Sequence, residues 1–394
     1  MIKLTMFDAG NGDCFLCEFS FENIDTNILV DFGYGKTYQN CLKPYFLQMS
    51  SEGKIIDLAI VTHIDLDHIG GAIPFFRENK MASSPEIIKV SEIWHNSYRH
   101  LSMACHKKDS RQREILKKRS TYIDPNLKDA FEYTGPKQGS NLAKLIKKYE
   151  HSWNKSFSEY AICSGGKQEV SVNNIKIIVL SPTETELENL KNVWYRDLAK
   201  TYPGIIFTED DILDDALEYA VIINHQNDSA DFSYAKSIID IEKLAESTCG
   251  EDQDPINLSS ITFILEVDDK KILFLGDAPS SIVLRQLRKF FPNQKICFDA
   301  IKISHHGSKK NNSSDFFEAI SCSNYFISSN GQKFGHPDIE TIAKLITTSS
   351  TRKKKIYISH YQEKFEIFIS DDLMKKYNYE IIFGGQSNSL SITL

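Results

Sequence analysis

The chain has 394 residues, 41% hydrophobic and 25% charged, with 46 Lys+Arg against 53 Asp+Glu. That balance excludes a disordered, collagenous or disulfide-scaffold protein, and a formal net charge of -7 excludes one that coats duplex DNA through a broad basic surface. Asp8 interrupts the N-terminus before a signal-peptide apolar region develops, and no run approaches the roughly 18 apolar residues of a spanning helix, so a cytoplasmic protein without a membrane segment is expected.

Strand signals open the chain at Ile2–Phe7, followed by the turn D-A-G-N-G-D, then Cys14–Phe19 and I-L-V-D-F-G at Ile28–Gly33. Cys14 and Cys17 lie three apart in extended chain and so point to opposite faces, which suits buried thiols rather than a metal or redox pair. Ile56–Thr62 is apolar and β-branched at both ends, as a buried strand requires, and Ile88–Trp94 reads as another. From His100 to about Ser164 the pattern is helical and polar, and its basic stretch Lys107–Arg119 reads as a solvated helix face. A strand follows at Ile175–Leu180, then a helical, partly acidic stretch that includes Glu209–Asp215.

Ile261–Val267 and Lys271–Asp277, joined by D-D-K, read as a hairpin. An alternation comes next: helix Ser280–Phe290, strand Ala300–Ser304, helix Ser314–Ile320, strand Tyr325–Ser328 and helix Pro337–Thr347. Strand signals at Lys355–Ile358, Phe365–Ile369 and Glu380–Phe383 end the chain. The simplest architecture is α/β, two sheets with helices outside, as one domain over residues 1–394 with insertions at about 100–165 and 183–250.

The segment that carries chemistry is T-H-I-D-L-D-H-I-G-G, Thr62–Gly71. It begins where an apolar strand ends, a common place for functional side chains to gather. His63, Asp65, Asp67 and His68 put four metal-competent groups on one turn, and the two glycines let the backbone fold tightly into the next helix.

This segment resembles the H-x-(H/D)-x-D-H signature of the metallo-β-lactamase superfamily, and the resemblance continues along the chain. L-V-D-F-G (Leu29–Gly33, with Asp31), L-F-L-G-D (Leu273–Asp277) and I-S-H-H-G-S (Ile303–Ser308) are similar to the later motifs of that family, in order. F-G-H-P (Phe334–Pro337) and the opening D-A-G-N-G-D (Asp8–Asp13) resemble the soluble nuclease-like domain of the ComEC competence proteins and its free-standing relatives. The resemblance implies an αββα sandwich with two divalent metal ions at one edge. One ion would take His63 and Asp65, and the other Asp67 and His68, with Asp277 bridging them and His305 or His306 completing the second site, His305 favoured because it follows the strand end directly. His306 and His336 are then the imidazoles left to act as an acid or to touch substrate.

Two positions depart from the lactamase and glyoxalase-type pattern: Asp65 stands where those members have His, and Asn257 lies close to the place of another His. Oxygen donors tilt preference toward Mn²⁺ or Mg²⁺, with Zn²⁺ still open. Two such ions lower the pKa of a shared water and offset charge on an expanding phosphorus or carbonyl centre, and an imidazole opposite the nucleophile can protonate the leaving group. The leading expectation is therefore a two-metal phosphodiesterase, a nuclease acting on DNA or RNA. A small-substrate hydrolase of the same fold (a cyclic-nucleotide phosphodiesterase, phosphocholine esterase or lactonase) is the second reading, and a module gated by an activating protein partner the third. Asn11 and Asp13 in the opening turn, Ser308 beside the paired histidines, and His95 at a strand end are the candidate substrate contacts. Lys302, on an apolar strand, reads as an alternation accident.

Overall fold

A computed structural model describes residues 1–22, 24–101, 135–201, 240–292, 294–385 and 387–394. The basic stretch Lys107–Arg119 and the acidic stretch Glu209–Asp215 lie outside the described residues. The first sheet is built from β1 (Ile2–Phe7), β2 (Phe15–Phe21), β3 (Ile24–Val30), β4 (Leu58–Ile60) and β5 (Ile93–Trp94). The second takes β6 (Glu169–Val172), β7 (Ile175–Ser181), β8 (Thr262–Val267), β9 (Lys270–Phe274), β10 (Ile296–Lys302), β11 (Ile320–Ile327), β12 (Lys354–Ile358) and β13 (Tyr379–Phe383). The last strand, β14 (Ser389–Thr393), returns to pair with β1, giving sheet orders β14-β1-β2-β3-β4-β5 and β13-β12-β11-β10-β9-β8-β7-β6.

Period-two alternation sorts the side chains into three apolar layers. On β2 and β3, Phe15, Cys17, Ile28 and Val30 face the second sheet, while Leu16 and Leu29 face the helices outside. On β10, Ile301 points outward and Ala300 points between the sheets. Phe15 meets Phe274 edge-on at 5.8 Å and Phe326 at 6.2 Å, which ties the sheets together near their middle. Each such buried Phe contributes on the order of 1.5–3 kcal/mol from burial. The helices Ala72–Asn79 and Pro136–Lys148 cover the first sheet, and Ser280–Phe290 and Ile339–Thr347 cover the second. Cys14 and Cys17 are buried free thiols in different layers, as the strand reading requires; Cys163 is disulfide-bonded.

Two sequence expectations change. Phe365–Ile369 is not a strand: Glu363–Phe368 forms a 3₁₀ turn. Phe365 and Phe368, three apart, thereby share one face and both enter the outer core, which the apparent alternation concealed. Pro337 precedes its helix, which starts at Ile339 with Asp338 as its N-cap residue. No described helix is long and apolar enough to cross a membrane.

Within the second sheet β9, β10, β11 and β12 run parallel, and β3 and β4 do so in the first. The loops leaving these parallel strands emerge at one edge of the sandwich, where the centre described next is assembled.

Candidate metal centre

Each donor is placed by a strand end. Asp31 follows β3, His63 to His68 follow β4, Asp277 follows β9, and Lys302 to His306 close β10. The β1–β2 turn reaches the same spot: Asp13 N–H donates to the Asp67 carbonyl, and Gly12 passes so close that a Cβ there would lie 2.1 Å from that oxygen. Asp31, His305 and His306 all adopt the left-handed backbone region, with φ of 58°, 45° and 52°. Such conformations cost on the order of 1–3 kcal/mol and cluster at functional sites. Gly307, φ 85°, completes the turn, and a Cβ there would meet the Pro337 Cβ at 2.4 Å.

Three imidazoles share one arrangement. His63 Nδ1 pairs with Thr62 Oγ1 at 3.0 Å, His68 Nδ1 with Asp31 Oδ2 at 2.8 Å, and His306 Nδ1 with the Ser328 carbonyl at 2.9 Å. Thr62 Oγ1 donates its own proton to Asp31, so His63 Nδ1 must carry the hydrogen and Nε2 the lone pair. All three Nε2 atoms are buried without a hydrogen-bond partner. They converge on a single oxygen, Asp277 Oδ2, at 3.8 Å from His63, 3.4 Å from His68 and 3.6 Å from His306. Asp65 Oδ2 stands 3.8 Å from His63 Nε2, and Asp67 Oδ2 stands 3.2 Å from His306 Nε2. Buried nitrogens with no partner are costly unless something occupies the space between them. The donor set therefore fits a divalent metal centre: His63, His68 and Asp277, and likewise Asp67, His68 and His306, bring one donor atom each within 4.8 Å of one another.

The charges agree. Burial opposes protonation of His68, yet the Asp277 and Asp31 carboxylates hold its pKa well above the ordinary value. Burial likewise opposes protonation of His306, and Asp277 and Asp13 outweigh it, raising the group to about 9. Burial also works against ionised Asp277, but the surrounding imidazoles and Lys302 keep it well below the usual carboxylate range. His63 goes the other way, down to about 3, because burial and the neighbouring His68 both disfavour its cation. Protons on His68 and His306 thus occupy the positions that a metal would take in their stead.

Comparison with known proteins bears on the fold. Residues 8–126 match the family model of the metallo-beta-lactamase superfamily. Together with the two packed sheets and their outer helices, that match makes the architecture the metallo-β-lactamase fold. Similar solved structures include the metallo-β-lactamase fold protein YhfI from Bacillus subtilis, at 10% identity and TM-score 0.33 over 99% of this chain and 100% of that one. A variant of the CmlA β-hydroxylase is similar at 10% identity and TM-score 0.38; this chain is covered fully and spans 54% of that protein. No curated protein matches the sequence.

In this metallo-β-lactamase fold, His63, Asp65, Asp67, His68, Asp277 and His306 come together, and both paired histidines bring Nε2 within 3.7 Å of Asp277 Oδ2. His306 is the one buried among the donors. His305 is partly exposed, its Nδ1 held by Asn311 at 3.1 Å and facing Asp252 at 3.3 Å, while its Nε2 lies 3.7 Å from the same Asp277 Oδ2. Asn257 donates to Asp252 at 2.8 Å, and its Oδ1 is buried without a partner. His336 stands on the open side, its ring 5.4 Å from His305 and its Nδ1 3.6 Å from Asp338. Asn11 lies at the rim beside Ser329.

Three candidate substrate contacts are buried. Asp13 is 1% exposed and forms an ion pair with Lys302 beneath the imidazoles, so it holds the centre from behind. Ser308 is buried and accepts the Lys310 N–H, closing its own turn. His95 is buried against Trp153, the rings stacked at 6.0 Å, within the core layer under the first sheet's helices. Lys302, read from the sequence as an accident, is buried between Asp13 and Asp277 Oδ1, the latter at 3.4 Å. Its signal was available: a charged residue two positions after the inward-facing Ala300 must point between the sheets and find partners there. Asp252 and Asn311 carried no such signal, because acidic and amide residues are ordinary in loops.

Proposed function

We propose that the chain is a binuclear metal-dependent hydrolase that cleaves phosphodiesters, with DNA or RNA as its substrate. The observation that carries this reading is the convergence of three unpartnered, buried Nε2 atoms on one oxygen of Asp277, with Asp67 and Asp65 beside them. When bound there, two divalent ions supply Lewis acidity and a water of lowered pKa. His63 and Asp65 would hold one ion, with Asn257 Oδ1 as a further oxygen donor, and Asp67, His68 and His306 would hold the other, with Asp277 available to both. Mn²⁺ or Zn²⁺ fits this mixture of carboxylate and imidazole, and the oxygen-rich first position favours Mn²⁺.

The chain's own groups then have separate tasks. Asp31 and Thr62 orient His68 and His63. Lys302 and Asp13 fix Asp277 and His306 from behind. On the open side, burial opposes a proton on His305, but Asp277 and Asp252 raise its pKa above the ordinary value; beside His336, this imidazole is placed to protonate a departing alkoxide. The preference for a phosphodiester over an amide or thioester rests on the oxygen donors Asp65 and Asn257 and on the opening-turn and F-G-H-P motifs that resemble the ComEC-like branch.

The test is metal content and hydrolysis for the purified protein and for Asp67→Ala with Asp277→Ala, on single-stranded and duplex DNA, RNA and bis(p-nitrophenyl) phosphate. Two metals per chain are expected, with Mn²⁺-stimulated cleavage reduced about a thousandfold or more in the double variant. Full metal occupancy with none of these substrates cut would overturn the phosphodiester reading.

A further inference from the structure

The open side of the centre leads outward through a series of rings. His306 lies 5.7 Å from His305, His305 5.4 Å from His336, and His336 6.1 Å from Phe334. The series ends in solvent: Phe334 is 55% exposed, one of few large apolar side chains so placed among the described residues. The Lys333 ammonium stands 4.8 Å from the centre of that ring. What sets this Phe apart from other exposed apolar side chains is its place at the tip of the polar turn K-F-G-H, next to the imidazoles that lead to the centre. The two residues that follow it are held by hydrogen bonds: the His336 carbonyl accepts from Ser329 Oγ at 2.8 Å and from Gln362 Nε2 at 3.1 Å, and Lys364 donates to the Gly335 carbonyl. The turn thus presents an exposed aromatic ring with a cation over it, linked by the imidazoles to the metal centre.

We propose that Phe334 is a stacking shelf for a nucleobase next to the scissile phosphodiester, with Lys333 facing the neighbouring phosphate. The inference rests on the phosphodiesterase reading and sharpens it: the substrate is an unpaired polynucleotide strand, recognised through its bases as well as its backbone. A base exposes a π-face whatever its identity, so one Phe serves without sequence preference, and a duplex, whose bases are already stacked, gains nothing from it. His336 and His305 carry the strand from the shelf inward, and the shelf fixes which phosphate reaches the donors.

The experiment compares short fluorescent oligothymidylate with an oligomer of the same length whose residues are abasic, so that backbone charge is equal. Binding is read by anisotropy in EDTA and cleavage separately with Mn²⁺. The wild-type protein should bind oligothymidylate about tenfold more tightly than the abasic strand. Phe334→Ala should erase that difference, and Phe334→Trp should keep it. An unchanged preference in Phe334→Ala, equal binding of both strands by the wild type, or binding of neither overturns the shelf, whether or not phosphodiesters are cut. A base-dependent preference lost in Phe334→Ala, in a protein that cleaves no phosphodiester, would support the shelf while overturning the hydrolytic reading.

Discussion

On the first sheet, four donors lie within six consecutive residues, His63 to His68, on the single loop that leaves β4. On the second sheet, Asp277 and His306 come from the ends of β9 and β10, and Lys302 reaches them from inside the layer between the sheets. The two contributions also differ in what holds them. The first-sheet imidazoles are fixed by side chains close in space and charge, Thr62 and Asp31. The second-sheet imidazole is fixed by a backbone carbonyl, Ser328, and by two consecutive residues in left-handed conformation. A compact motif can be placed by local geometry; a dispersed one needs the packing of several strands to bring it into register, and its roles follow from that packing.

The strongest way to break this comparison is at the paired histidines. His306→Ala should leave one metal per chain and lower cleavage about a hundredfold or more, whereas His305→Ala should retain two metals while losing the proton donor on the open side. Metal analysis decides the matter without reference to rate, and a one-metal His305→Ala protein would restore the role that the motif alone suggested for it.

A second test addresses the support beneath the second-sheet donors. Lys302→Met leaves Asp13 buried without its cation, which should cost about 3 kcal/mol in denaturant unfolding. Adding Asp13→Asn removes the stranded charge, so the double variant should recover most of that loss. If Lys302→Met alone were neutral, the pair would have no structural part in the centre.

The smallest effect, and the one that best separates the metal-free from the loaded protein, is pH. The pKa of His306 is raised to about 9 in the metal-free fold, above an unfolded value near 6.5. Its stabilisation is therefore fully present below about pH 6.5 and is lost as pH rises through about 9. The melting temperature of chelated protein should fall across that window, while the rise on adding Mn²⁺ should grow, because the ion displaces a proton from His306. Calorimetry in buffers of different ionisation enthalpy should register that proton release.

The chain order of strands and helices was legible because burial writes itself as periodicity: Ile2–Phe7 and Ser280–Phe290 have the bounds that their patterns imply. Phe365–Ile369 was misread because an F-E-I-F-I run satisfies a strand's alternation and a 3₁₀ turn's spacing of three equally well. His63, Asp65, Asp67 and His68 announced themselves, since metal-competent groups at such density on one strand-end loop have few other uses. By itself, then, the sequence determined the layered α/β arrangement and the identity of the first-sheet donors, through local spacing and apolar periodicity. Only the tertiary structure decided that His306 is buried while His305 stays partly exposed, that Asp13 and Lys302 lie behind the donors, and that Phe334 is exposed. Those outcomes depend on backbone dihedrals at single residues and on distances between strands from different sheets, which no local pattern encodes.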